Sequence, residues 1–199
     1  DRYHVAPRMT ANRLWLYDTT LRDGAQTQGV DLTLADKRRI ALELDRLGID
    51  YIEGGWPGAN PTDESFFNDP PKLKRSRLCA FGMTRRSGRS AANDPGLVAL
   101  WQAKAPVVTL VGKASARHAE QALEVSREEN LAMIADSVRE AAARAEEAIL
   151  DAEHFFDGFE EDEAYALACL EAALGAGARW VVLCDTNGGT LPHEVERIT

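Results

Sequence analysis

Short apolar runs alternate with longer stretches of helical period along this chain. Leu14–Tyr17 is the first run. Thr33 then caps a predicted helix in which Ile40, Leu44 and Leu47 share a face, and Gly48 closes it. Further strands are predicted at Ile49–Glu53, Leu78–Gly82, Pro106–Val111 and Ile149–Glu153. Ser126-Arg-Glu-Glu129 reads as a capping box opening a helix with Leu131, Ile134 and Val138 on one stripe. Leu167, Leu170 and Leu174 mark the next helix, which ends in Gly175-Ala-Gly177. Trp180–Cys184 is nearly unbroken apolar sequence, as expected for a strand covered on both faces. Thr190-Leu-Pro-His opens a sixth helix with proline in its first turn.

Strand–helix alternation on this scale predicts βα units around a parallel sheet. Polar segments follow the strands directly, at Asp18–Gln26, Glu53–Asn60, Gly82–Arg86, Gly112–His118, Glu153–Gly158 and Asp185–Gly189. A (β/α)8 TIM barrel would gather all of them at its C-terminal rim, where barrel active sites are built. A doubly wound dinucleotide fold would instead want G-x-G-x-x-G after a strand, and the sequence has none. Six strands are counted where a barrel needs eight. The expectation is therefore an α/β TIM barrel with about its first six βα units present. Residues 1–199 would be the N-terminal portion of one catalytic domain, lacking strands seven and eight and any C-terminal regulatory region.

Composition narrows the function classes. The 199 residues are 45% hydrophobic and 28% charged, ordinary for a globular domain, and the net charge of -9 argues against general nucleic-acid binding. Cys79, Cys169 and Cys184 lack metal-site spacing and sit in apolar segments, as reduced thiols in a cytoplasmic protein would. No apolar run approaches the roughly 18 residues of a membrane span, and Asp1 to Asn12 holds no signal-peptide apolar stretch.

Four motifs carry candidate chemistry. Tyr17-Asp-Thr-Thr-Leu-Arg-Asp-Gly-Ala-Gln26 sets Arg22 and Asp23 side by side after a strand. A carboxylate there suits Mg²⁺, Mn²⁺ or Zn²⁺, and the guanidinium offers forked donors to an enolate or carboxylate. Tyr51-Ile-Glu-Gly-Gly-Trp-Pro-Gly-Ala-Asn-Pro61 puts Glu53 at a strand end before a rigid turn. In Asp151-Ala-Glu-His-Phe-Phe-Asp-Gly158, three carboxylates and a histidine surround two phenylalanines, so burial would raise acid pKa values. Cys184-Asp-Thr-Asn-Gly-Gly-Thr-Leu-Pro192 offers a hydroxyl and backbone N–H groups, with turn formation the simpler reading for Asp185 and Asn187. Arg85, Arg86 and Arg89 are either a phosphate-steering cluster or a solvated basic loop. Gly112-Lys113 has no Walker A around it.

Together these motifs resemble the metal-dependent TIM-barrel family that includes 2-isopropylmalate, homocitrate and citramalate synthases and 3-hydroxy-3-methylglutaryl-CoA lyase. The resemblance runs from about Leu14 to Pro192, and the Gly54-Gly55-Trp56 turn looks like the citramalate-synthase branch. It implies that Asp23 ligates a divalent metal, that Arg22 stabilises charge on substrate oxygen, and that Gln26 and Glu53 brace the loop or the substrate. It further implies that Glu153 takes part in proton transfer and that Thr186 meets a keto-acid carboxylate. His118 matches a substrate-binding position, as Lys113 matches in form, and His154 a supporting one. The implied reaction is Claisen condensation of acetyl-CoA with a 2-keto acid, pyruvate first, in a cytoplasmic enzyme that is a homodimer at full length. The alternatives are 2-isopropylmalate or homocitrate synthesis, carbon–carbon cleavage, or a catalytically inactive partial barrel. The family's two histidine ligands come from a His-x-His motif on strand seven, and this sequence contains none. They are expected beyond Thr199.

Overall fold

A computed structural model describes residues 13–199; the reading of Asp1 to Asn12 lies outside them. Six parallel strands run in chain order: β1 Tyr17–Asp18, β2 Tyr51–Gly55, β3 Arg77–Met83, β4 Val107–Lys113, β5 Glu147–Glu153 and β6 Trp180–Leu183. Helices connect them: α1 Leu34–Leu47, α2 Pro61–Asn68, α3 Pro95–Gln102, α4 Ala116–Gln121, α5 Arg127–Arg144, α6 Phe155–Glu161, α7 Glu163–Gly175 and α8 Pro192–Ile198. The strand order and the α/β class agree with the sequence reading, and the whole is a half-barrel.

The period-2 alternation of side chains sorts each strand onto two faces. Ile52, Leu78, Ala80, Val108, Leu110, Ala148, Leu150 and Ala152 point outward and form one core with the helices. Tyr51, Cys79, Val107 and Ile149 point inward as a second cluster, flanked by Tyr17 and Trp180. Hydrogen bonds across the inner face measure the curvature. Tyr17 Oη meets Thr109 Oγ1 at 2.7 Å, Tyr51 Oη donates to Glu147 at 2.8 Å, and Trp180 Nε1 donates to Tyr51 Oη at 3.1 Å. Strands β2 and β6 would stand about 19 Å apart in a flat sheet, so only a strongly curled one lets their side chains touch.

Helix packing depends on two glycines. A Cβ at Gly54 would lie 2.7 Å from Phe66, and one at Gly158 would lie 2.3 Å from the Ala114 carbonyl oxygen. Each lets a helix approach closer than alanine permits.

Several expectations need correction. The first strand is displaced from Leu14–Tyr17 to Tyr17–Asp18, leaving Leu14 exposed. Leu47 is 76% exposed, because α1 buries Lys37, Ala41 and Asp45 instead. In α7, Leu167 and Leu174 face outward while Ala166, Cys169 and Ala173 are buried. Ser126 accepts the Glu129 N–H, but the Glu129 side chain reaches Arg85 at 2.8 Å rather than closing a box. The reciprocal box is at Thr33 and Asp36. Strand β6 is only half-buried, since among the described residues nothing pairs with its far side. Leu131 is partly buried, and Ile134 and Val138 are fully so, as read.

Candidate active site

The loop after β1 folds on itself through N–H groups of Arg22 and Gly24, both donating to the Thr19 carbonyl at 3.1 Å. Asp18 is spent inside it, accepting the Thr20 N–H at 2.9 Å. This fold aims Arg22 inward. Its Nε donates to Glu53 Oε1 at 2.5 Å, its Nη1 to Asp23 Oδ1 at 3.0 Å, and its guanidinium lies 4.0 Å over the Phe81 ring. Glu53 is fully buried, and its other oxygen accepts the Tyr17 hydroxyl at 2.5 Å. A relay therefore runs Thr109–Tyr17–Glu53–Arg22–Asp23, from the barrel interior to its mouth.

Opposing forces set the charges in this relay. Burial raises the Glu53 pKa, and the Arg22 charge and Tyr17 hydroxyl only partly offset it. Burial would lower the Arg22 pKa, but the Glu53 carboxylate outweighs it and holds the cation. Burial, with the nearby Cys79 and Glu53, pushes the Tyr17 phenol well above its ordinary value.

Beyond Arg22 opens a cavity of about 470 Å³. Arg22, Asp23, Gln26, Glu153 and Thr186 all line it, so five of the predicted residues share one hollow. Glu53 stands behind Arg22, where it acts on the cation and not on the cavity. His118 lies outside the lining; its ring stacks on His154 with centroids 3.8 Å apart, and its Nδ1 meets Ser115 Oγ at 3.0 Å. Burial and then the neighbouring His154 lower the His118 pKa. Thr186 Oγ1 accepts the His154 N–H at 2.8 Å, which leaves its own hydroxyl proton free to donate into the cavity. His154 reaches that position through a left-handed backbone, φ 58°.

Two wall residues had weaker sequence signals. Lys113 forms an ion pair with Glu153. Asp151 faces the cavity two residues before Glu153, and burial together with the Glu53 charge raises its pKa to about 7 against the pull of Arg22. The alternation of β5 was the available signal: Ile149, Asp151 and Glu153 share a face. Cys184 also lines the cavity, its thiol pushed up to about 12 by burial and then by Asp151. The apolar segments bury Cys79 and Cys169 fully, whereas Cys184 is only partly buried.

Arg85 is buried and held between Glu129 at 2.8 Å and Asp136 at 3.0 Å. Its charge is spent on those carboxylates, whereas Arg86 and Arg89 are exposed. Among the described residues, no three His, Cys, Asp or Glu side chains gather as a cation site. Asp23 alone, with one oxygen already on Arg22, falls short of the six or so oxygen ligands a hard divalent cation takes.

The profile of the HMGL-like family matches residues 13–199. The chain belongs to the HMGL-like family. Within it, the chain is 53% identical over 191 residues to the (R)-citramalate synthase of Aquifex aeolicus and 50% identical over 184 residues to that of Sulfolobus acidocaldarius. Those alignments cover 95% and 92% of this chain, but 36% and 35% of the relatives. The chain thus spans about a third of their length. The 2-isopropylmalate synthase of Halalkalibacterium halodurans is 33% identical over 187 residues, 94% of this chain and 35% of the relative. Hydroxymethylglutaryl-CoA lyase from Pseudomonas aeruginosa shares the HMGL-like fold, with a TM-score of 0.73 at 19% identity over 94% of this chain and 62% of that one. The Brucella melitensis HMG-CoA lyase gives 0.71 at 16%, over 93% and 66%. No helix among the described residues is long and apolar enough to cross a membrane.

Proposed function

We propose that this chain is the N-terminal part, residues 1–199, of a barrel enzyme that condenses acetyl-CoA with pyruvate to give citramalate and free coenzyme A. The observation that supports this most is the step in identity, from about 50% against citramalate synthases to 33% against an isopropylmalate synthase over the same span. In this reading a carboxylate on β5, Glu153, takes a methyl proton from the thioester. The enolate attacks the pyruvate ketone, and Arg22 receives the alkoxide charge. Glu53 and Phe81 fix that guanidinium before substrate arrives, the preorganisation that makes such stabilisation effective. Thr186 donates its hydroxyl to the keto-acid carboxylate, Gln26 braces the loop above, and His118 supports Thr186 through the His154 stack. Water then cleaves the thioester. The divalent Mg, Mn or Zn ion of this reading takes Asp23 as one ligand and two histidines from sequence beyond Thr199. Strands seven and eight also come from there, and the full-length enzyme is a cytoplasmic homodimer.

Thiol release from acetyl-CoA tests the reading, with pyruvate or 2-ketoisovalerate and with Mn²⁺ or chelator. The chain is assayed alone and together with the remaining barrel of the Aquifex aeolicus relative. Faster, metal-dependent release with pyruvate is expected in the completed barrel. Arg22→Ala should lower kcat by about 10²–10³-fold, the usual loss of one preorganised donor. A preference for 2-ketoisovalerate, or carbon–carbon cleavage of citramalate-like thioesters without condensation, would replace this reading.

A further inference from the structure

The reaction cavity has two neighbours. A polar hollow of about 350 Å³ lies between the loops after β1 and β2, lined by Gln26, Lys37, Asn60 and Asp63 among others. A second, of about 240 Å³, lies over the β3 loop, with Arg86, Val125 and Met133 in its wall. Arg22 and Gln26 border the first as well as the reaction cavity, and Met83 borders the second. Trp56 borders all three. An indole at such a junction is a partition.

The partition is held fast. Asp63 accepts the Trp56 backbone N–H at 2.8 Å and the Asn60 side-chain amide at 3.0 Å, while its other oxygen forms an ion pair with Lys37, which is almost fully buried. Gly55 makes this possible: its φ is 144°, and a Cβ there would sit 2.5 Å from the Asp63 carboxyl carbon. The indole itself packs edge-on against Phe81, centroids 5.5 Å apart at 80°, and the same ring carries Arg22. The backbone is therefore fixed from outside the cavity by Asp63, and the side chain by Phe81 in the cavity wall.

The cavity wall is also divided by polarity. Trp56, Phe81, Met83 and Val111, on or just after β2 to β4, give an apolar stretch of wall, while Asp151, Glu153, Asp185 and Thr186, on or just after β5 and β6, give a polar one, with Lys113 of β4 paired to Glu153 between them. A keto acid whose carboxylate meets Thr186 and whose ketone oxygen meets Arg22 turns its remaining substituent toward the apolar wall. We propose that Trp56 is a specificity-determining residue: its indole closes the reaction cavity against both neighbouring hollows and restricts the substituent on the keto carbon to a methyl group. This rests on the condensation reading above.

The test compares wild type, Trp56→Phe and Trp56→Ala in the completed barrel, using pyruvate, 2-ketobutyrate and 2-ketoisovalerate. Each methylene gained or excluded in an apolar pocket is worth about 10–200-fold in kcat/KM. Trp56→Ala should therefore raise the ratio of 2-ketobutyrate to pyruvate by about 10-fold or more, with 2-ketoisovalerate gaining further. Trp56→Phe, which keeps the Phe81 contact, should shift the ratio less and covers a failure of the alanine variant to fold. An unchanged ratio in a variant with a wild-type melting profile overturns the proposal. So does a rise confined to the acetyl-CoA KM, which would place the indole on the thioester. Calorimetric binding of the three acids separates the two failures. If wild type turns over none of them, the condensation reading falls, and the variants' order of binding still decides whether Trp56 is the partition.

Discussion

The two faces of one sheet obey different rules. On the outer face, β4 and β5 present Val108, Leu110, Ala148, Leu150 and Ala152, all closed under helices. On the inner face the same strands present Thr109, Lys113, Asp151 and Glu153. A one-residue offset in the strand separates packing from chemistry. The outer face gains stability from apolar area removed from water, whereas the inner face holds charges that are stable only while each keeps its partner. Two carboxylates on that inner face show how narrow the condition is. Glu53 is enclosed by Arg22 and Tyr17, whereas Asp151 is given a desolvated wall and three acidic neighbours, Glu53, Asp23 and Glu153.

Removing one member of the enclosed pair should break the inner face most severely. Glu53→Ala strips the Tyr17 hydroxyl and the Arg22 Nε of their buried acceptor and leaves a void behind them, and should cost about 3–5 kcal/mol in urea unfolding; a loss below 1 kcal/mol would mean the relay is not structural. Asp151→Asn should act in the opposite direction. The folded pKa of about 7 lies above the ordinary value of 3.8, so the folded state favours the protonated acid. Relative to the asparagine variant, wild-type stability is fully present below about pH 4 and falls as pH rises toward 7. It levels off above that, a total of at most about 4 kcal/mol. Parallel melting curves of the two proteins from pH 4 to 8 would contradict this, and adding Glu53→Gln should shrink the gap by removing a neighbouring charge. On the outer face, Leu150→Ala should cost about 3 kcal/mol at every pH, because only a cavity is made. Smallest is Ser126→Ala at the start of α5, about 1 kcal/mol by thermal melting, since the Glu129 N–H loses its capping acceptor.

This division also explains what the sequence could reveal. Strand runs such as Leu78–Gly82 were legible because parallel strands under helices are apolar on successive residues. The positions at and after their ends, Arg22, Asp23, Glu153 and Thr186, were placeable at the rim because polar residues that close such runs must lie there; their roles came from the family resemblance. Helix faces were harder. In α7 nearly every residue is apolar, so periodicity favoured the large Leu167 and Leu174, while close packing buries the small Ala166, Cys169 and Ala173. Helix α1 misled for another reason: it buries Lys37 and Asp45, whose charges are met by Asp63 and by N–H groups of Lys74, Arg75 and Ser76. No local pattern announces partners some 30 residues away. Tyr17 was hidden in the run Leu14-Trp-Leu-Tyr17, where a phenol reads as one more apolar residue until Glu53 is placed beside it.

The sequential order of the strands has a consequence in time. Each of β2 to β6 docks on the strand made just before it, and the outer-face core grows unit by unit, so a chain emerging from a ribosome can bury that face as it is synthesised. The inner-face bonds that cross the barrel do not accrue this way. Tyr17 waits 92 residues for Thr109, and Tyr51 waits 129 for Trp180. The bonds that span the barrel interior close last, after the scaffold that bears them already stands.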